Sequence, residues 1–278
     1  MEVDLHVHTN YSDGTESPAE VTAKAKAMGL GAIAITDHDT LEGIEPAITA
    51  GRQHNLEIIP GIELGSEYHG QEVHILGYLV DTQDREFLAR LSSMRSDREL
   101  RMENMVKRLQ DLGFPVNLDR VRAIAGNGSL GRPHLAAAMV ETGRVKTMSE
   151  AFELYIGYGR PAYVPRVRLT PAEAIHLIRA CGGVAVLAHP GLLSDQAPLE
   201  ELLDELIKAG IAGLEAHHPA HDRELAGYYE RLARRKGLIA TGGSDYHGPE
   251  RYAEGRLGLV AVPYGVVEAL KAKRACAF

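Results

Sequence analysis

Cysteine is scarce in this chain of 278 residues. Only Cys181 and Cys276 occur, far apart, and they fit neither a CxxC pair nor a zinc-site spacing. That argues against a disulfide framework and leaves two free thiols in a reducing cytosol as the expectation. Long hydrophobic runs are absent too. No stretch approaches the roughly 20 apolar residues of a membrane span. The acidic N-terminus enters a strand by residue 3, so no signal peptide is visible and a cytoplasmic location is expected. Positive charge is in deficit, 30 Lys and Arg against 38 Asp and Glu, for a net charge of −8. A protein that grips long duplex nucleic acid needs a basic face, and this composition speaks against one. A small anion held at bound cations stays compatible, because such ions dominate the local field. Repeats and low-complexity segments are likewise missing.

What is present is an ordinary globular composition, 45% apolar and 24% charged, in a chain long enough for one large domain or a barrel with an insertion. Short apolar runs alternate with helical patterns, the βαβ signature of a parallel sheet or barrel. The predicted strands are 3–8, 32–37, 57–64, 72–79, 184–189, 213–217 and 238–244, with a closing strand at 257–262. Helices are predicted between most of them, at 18–28, 171–180 and 199–209 for example. The turn Tyr68-His69-Gly70-Gln71 predicts a hairpin rather than a crossover. Residues 84–165 break the rhythm. Phe87, Leu91, Met94, Met102, Met105, Leu109 and Leu112 mark the apolar stripe of a long helix ending at Gly113. Residues 84–165 are therefore expected to be a helical insertion capping one end of a barrel built from 1–83 and 166–278.

Polar clusters fall at the C-terminal ends of the predicted strands, where barrel active sites gather. His6 and His8 leave one face of the first strand, because strand side chains alternate. Asp13, His38, Glu63, His74, His189, Asp245 and His247 follow. Taken singly, His189 before Pro190 suits packing, His74 suits a core, and a strand-end Asp37 suits a helix cap. Together they call for divalent cations, since buried histidines and carboxylates are costly without partners. Imidazole and carboxylate ligands suit Mn²⁺, Fe²⁺ or Zn²⁺, and so many ligands suit two or three ions.

These residues resemble the PHP (polymerase and histidinol phosphatase) family. The motifs are Asp4-Leu5-His6-Val7-His8-Thr9, Ser12-Asp13-Gly14, Ile35-Thr36-Asp37-His38-Asp39, Gly61-Ile62-Glu63, Glu72-Val73-His74, Ala188-His189-Pro190 and Gly243-Ser244-Asp245-Tyr246-His247. The resemblance implies an α/β fold, a distorted (β/α)7 TIM-like barrel, and three metal ions, Mn²⁺ first among the candidates, hydrolysing phosphoesters. It assigns His6, His8, Glu63 and Asp245 to one metal. Glu63, His74 and His189 fall to a second, and Asp13, His38 and His247 to a third. Metal-bridging water would supply hydroxide, placing Glu63 and Asp245 in the catalytic centre. His218 and Asp37 are the candidates for a general acid.

The insertion carries Ala125-Gly126-Asn127-Gly128-Ser129-Leu130-Gly131-Arg132-Pro133-His134, a glycine-rich loop entering a helix. Ser129, Arg132 and His134 are donors suited to a second phosphate. The Gly-Arg-Pro-His element is similar to a PHP subfamily associated with nucleoside 3′,5′-bisphosphates and 5′-phosphorylated short RNA. A small nucleotide or short single-stranded RNA is thus the expected substrate. Tyr155, Tyr158, Tyr163 and Tyr246 are candidates for stacking on a base, and Arg160, Arg166 and Arg168 form a local basic run. His217 and His218 are in reach of the site, while His221 suits a helix start. Histidinol-phosphate phosphatase is the nearest rival, although a cationic substrate calls for acids where Arg132 and His134 stand. A C–N hydrolase would want a carboxylated lysine, and 57–79 holds none. A non-catalytic PHP accessory module is the remaining alternative, disfavoured by the intact ligand set.

Overall fold

The computed structural model of this protein describes residues 1–126, 130–165, 169–193, 199–249 and 256–275. It divides into two compact units, Met1–Ala89 with Arg168–Phe278, and Arg90–Val167.

In the first unit the strands are β1 (Glu2–Val7), β2 (Ala32–Ile35), β3 (Glu57–Tyr68), β4 (Gln71–Tyr78), β5 (Val184–Leu187), β6 (Gly213–His217), β7 (Ile239–Gly242) and β8 (Val262–Pro263). The helices are α1 (Pro18–Ala27), α2 (Ile44–His54), the start of α3 (Arg85–Asp111), α7 (Pro171–Ala180), α8 (Leu199–Ala209), α9 (Arg223–Lys236) and α10 (Gly265–Ala275). Uninterrupted apolar runs such as Ala32–Ile35 and Val184–Leu187 are the sequence form of strands buried on both faces, and both are fully buried. Helix α1 starts as its sequence dictates: Ser17 and Glu20 form a reciprocal capping box around Pro18.

The strands bond in the order β7-β6-β5-β4-β3-β2-β1-β8. β1, β2 and β3 run parallel, as do β5, β6 and β7, while β3–β4, β4–β5 and β1–β8 are antiparallel. The loop after β7 nearly closes the sheet, for His8 N–H donates to Tyr246 O at 2.8 Å and Val7 bridges Tyr246. This is the expected distorted TIM-like barrel. The β3–β4 hairpin turns on His69 (φ 49°) and Gly70 (φ 80°), the left-handed pair of a two-residue hairpin. The closing strand is shorter than predicted. Residues 257–260 are turn and bend, and only Val262 and Pro263 pair with β1.

One face of the sheet carries Val3, Ala34, Ile59, Leu76 and Val186 in a common apolar cluster. Glu63 pairs with Leu76, and His74 lies two residues earlier on β4, so both continue that face toward one end. β1 is irregular between Asp4 and Val7, where three residue steps oppose two on β2. Such a bulge re-aims the side chains after it. It lets His6 and His8 join the face on which Val3 begins.

In the second unit, α3 continues into α4 (Leu118–Ala125), α5 (Arg132–Glu141) and α6 (Met148–Ala151), followed by a wider turn at Phe152–Ile156. Met102, Met105, Leu109, Phe114, Leu135 and Met139 form its own core. Leu112, predicted for the apolar stripe, is exposed because α3 ends at Asp111.

Candidate metal centre

Glu63 is the hub of the polar end of the barrel. It is 1% exposed and touches five imidazoles. Its Oε2 lies 3.3 Å from His6 Nε2, 3.2 Å from His8 Nε2 and 3.2 Å from His38 Nδ1. Its Oε1 lies 2.8 Å from His74 Nδ1 and 3.0 Å from His189 Nε2. Asp245 Oδ1 meets the same His6 and His8 nitrogens at 3.3 and 3.2 Å. Asp13 Oδ1 stands 3.2 Å from His247 Nε2, and the His247 ring stacks on His8 at 4.1 Å. Every residue expected as a metal ligand is in this one connected cluster.

Three overlapping groups in it could each hold an ion: His6, His8, Glu63 and Asp245; His8, Asp13, His38 and His247; and His38, Glu63 and His74. The first group offers the sharpest test. Nε2 of His6 and Nε2 of His8 are buried with no hydrogen-bond partner, although each has two carboxylate oxygens 3.2–3.3 Å away. Imidazole nitrogens and carboxylate oxygens converging on one point make the donor set of a divalent cation.

The surrounding residues fix these orientations. Glu215, fully buried on β6, receives the His6 Nδ1 hydrogen at 3.0 Å and the His189 backbone N–H at 2.7 Å. Asp4 accepts from Ser244 N–H, Ser244 Oγ–H and Gly258 N–H at 2.6–2.9 Å, tying β1 to the loop after β7. Asp37 accepts from Thr9 N–H, Thr9 Oγ–H and Ser12 Oγ–H at 2.6–2.7 Å. It caps no helix, since α2 begins after Gly43, and its hydrogen bonds make it a brace for the loop carrying Asp13. Gly243 has no room for a side chain, because a Cβ there would overlap His6. Asp245 (φ 50°) and His189 (φ 24°) sit in the left-handed backbone region, where a side chain is turned in at a cost in strain. Sequence reasoning missed Glu215. Its one signal is a carboxylate in the middle of the buried strand Gly213-Leu214-Glu215-Ala216-His217.

The cluster attracts cations strongly. Burial opposes charge on His8 and His74, yet contacts with Glu63, Asp245 and Glu72 outweigh it and push both imidazoles up to about 10. Burial likewise opposes charge on Glu63, Asp13 and Asp245, and the surrounding histidines hold all three well below the usual carboxylate range. His38 goes the other way, down to about 3, chiefly through burial.

His218 reaches this cluster and His217 does not. His218 Nε2 is 3.4 Å from Asp245 Oδ2, and its Nδ1 accepts the Ala220 N–H at 3.1 Å, so the neutral ring carries its hydrogen on Nε2. His217 turns to Glu230 at 2.9 Å. His221 precedes α9 and is fixed by Gly191 N–H and Ala216 O. Tyr246 is buried, its hydroxyl bonded to Glu16 and Lys24 at 2.7 and 2.9 Å. In the second unit, Arg132 opens α5 and lies over the rings of Phe152 and Tyr163 at 5.5 and 5.8 Å. Tyr155 packs edge-on to Phe114, and Tyr158 is exposed against Tyr163. Gly131 caps α5 without a side-chain oxygen, and its N–H donates to His134 Nδ1 at 3.1 Å. Ser129, Arg166, Arg168 and Cys276 lie outside the described residues, while Cys181 is a buried free thiol. Among the described residues no helix is long and apolar enough to cross a membrane.

Imidazoles and carboxylates gathered at one end of a β/α barrel around a cation site define a metal-dependent hydrolase. A PHP domain family model matches residues 4–112. The chain is 32% identical to a 5′-3′ exoribonuclease of Haemophilus influenzae, covering 88% of this chain and 90% of the relative. It is 32% identical to a 3′,5′-nucleoside bisphosphate phosphatase of Chromobacterium violaceum over 89% and 87%. A phosphoribosyl 1,2-cyclic phosphate 1,2-diphosphodiesterase of Eggerthella lenta is also 32% identical, over 88% and 94%. The crystal structure of a candidate metal-dependent phosphoesterase from Bifidobacterium adolescentis superposes with a TM-score of 0.83 at 32% identity, covering 98% and 96%. The chain belongs to the PHP family and is a metal-dependent phosphoesterase that uses divalent cations.

Proposed function

We propose that this enzyme removes the 3′-phosphate of nucleoside 3′,5′-bisphosphates, giving nucleoside 5′-monophosphate and phosphate, and that it acts on 5′-phosphorylated short RNA by the same step. The observation that carries the reading is the start of α5. Arg132 stands at the first turn, where its guanidinium offers a fork of donors suited to a phosphate, while the N–H groups of Gly131 and His134 are bonded within the turn. Ser129 and His134 would add donors to this second anion site. A bisphosphate carries one phosphate to be cleaved and a second that a guanidinium can recognise. One relative is named a 3′,5′-nucleoside bisphosphate phosphatase and another a 5′-3′ exoribonuclease, which supports the reading.

We assign three divalent ions, Mn²⁺ by preference, and take His189 as a ligand of the second, although the groups above place His38 with Glu63 and His74. His6, His8, Glu63 and Asp245 would hold the first, Glu63, His74 and His189 the second, and Asp13, His38 and His247 the third. When bound, such ions lower the pKa of water and offset charge on phosphoryl oxygens. His218, in its imidazolium form, is our choice to protonate the leaving 3′-oxygen from Nε2, the nitrogen that faces Asp245.

The test is phosphate release from adenosine 3′,5′-bisphosphate with Mn²⁺. It is run beside AMP, histidinol phosphate, a ribose cyclic phosphate and a 5′-phosphorylated RNA dinucleotide. Fast release from the bisphosphate with AMP inert is the expected result. Turnover of histidinol phosphate or the cyclic ester in its place would overturn the substrate assignment. Arg132→Ala should lower kcat/KM for the bisphosphate by roughly 10- to 150-fold, the cost of one charged anchor.

A further inference from the structure

Beside the metal centre, β6 and α9 flank a cavity of about 500 Å³ that removal of a 3′-phosphate does not require. His218 is shared between the two places, lining the cavity while its Nε2 lies 3.4 Å from Asp245 Oδ2. From α9 come Arg223, Gly227, Glu230 and Arg231, whose spacing puts them on one face of the helix. Glycine inside a helix lowers its stability. At Gly227 a Cβ would stand 3.2 Å from an Arg231 guanidinium nitrogen, so the glycine makes room for that cation across the helix face. The acids on the wall are already engaged. Glu230 bonds His217 at 2.9 Å, and Asp222 caps α9 by accepting from Leu225 N–H. The guanidinium groups of Arg223 and Arg231 are the fork donors on this wall, and the volume suits a nucleoside-sized group.

We propose that this cavity binds the nucleotide on the 3′ side of the scissile phosphodiester in a 5′-phosphorylated oligoribonucleotide, with Arg223 and Arg231 on its next phosphate. The inference rests on the nucleotide reading above. A group esterified to the phosphoryl at the cluster enters the cavity past His218. A mononucleoside bisphosphate has nothing to place there, so the cavity separates oligonucleotide from mononucleotide substrates.

The experiment compares first-nucleotide release from a 5′-phosphorylated RNA trinucleotide with phosphate release from adenosine 3′,5′-bisphosphate, for the Mn²⁺-loaded enzyme and two variants. Arg223→Gln/Arg231→Gln removes both cations, and Gly227→Leu fills the cavity with a residue that favours helix. Each should lower kcat/KM for the trinucleotide roughly tenfold to a hundredfold, leaving the bisphosphate within about twofold. Equal losses on both substrates, or none on either, overturn the subsite. So does a wild-type enzyme active on the bisphosphate and inert on the trinucleotide. Inactivity of the wild type on both substrates overturns the nucleotide reading itself, and the subsite with it.

Discussion

Glu215 accepts the Nδ1 hydrogen of His6 at 3.0 Å and thereby turns Nε2 of that ring toward Glu63 and Asp245. His6 holds the carboxyl of Glu215 below its ordinary range against the effect of burial, so Glu215 is ionised and only accepts. A carboxylate behind a ligating imidazole fixes its tautomer and raises its basicity. Glu215→Gln should weaken metal affinity by about 10- to 100-fold. Activity should return as metal is added. Titrating activity against Mn²⁺ at fixed substrate checks this, and unchanged half-saturation would remove Glu215 from the metal's support.

Gly243 permits the approach of the loop after β7 to His6, and a methyl group has no space there. Gly243→Ala should push Asp245 and His6 apart and cost about 1–3 kcal/mol of stability by overpacking. Metal content by elemental analysis and thermal melting report the two effects separately. Full metal loading at wild-type stability would show that the contact is softer than the geometry indicates.

In the metal-free protein, His8 and His74 titrate at about 10, above the ordinary 6.5, because Glu63 and its neighbours outweigh burial. A raised folded-state value means their protonation stabilises the fold fully below about 6.5. That contribution is lost as pH rises through about 10. Metal-bound imidazoles are already deprotonated, so loading removes this dependence. The chelated protein should therefore lose melting temperature between about pH 7 and 9 more steeply than the Mn²⁺-loaded protein. Parallel slopes for the two forms would contradict this account.

His218 is distinguished from a merely structural ring by the leaving group. His218→Asn should lower kcat roughly 100- to 10,000-fold for a substrate whose leaving oxygen is an unactivated sugar hydroxyl. A nitrophenyl phosphate needs no proton on departure, and its hydrolysis should fall far less. Equal losses for both substrates would assign His218 to holding Asp245, its partner at 3.4 Å.

Much of the fold was legible because apolar runs, capping residues and turn residues act locally. The Ser17–Glu20 box starts α1, and His69-Gly70 turns the hairpin, each through bonds within a few residues. The short β8 was overdrawn because 257–260 is apolar enough for a strand but is used as turn. Asp37 was open between acid, cap and brace until its three donors were in place. Tyr246 looked available for a base until Glu16 and Lys24 took its hydroxyl.

The sequence by itself determined that His6 and His8 share a face, since alternation along a strand is a property of the backbone. It also determined which residue types end each strand, hence a metal-dependent chemistry. Only the tertiary structure decided which face that was, through the bulge between Asp4 and Val7. It alone brought Glu215 behind His6 across 209 positions of chain and set α9 beside His218. The reason is that local pattern fixes side-chain direction along an element. Burial and close packing between elements then fix which distant groups must satisfy one another.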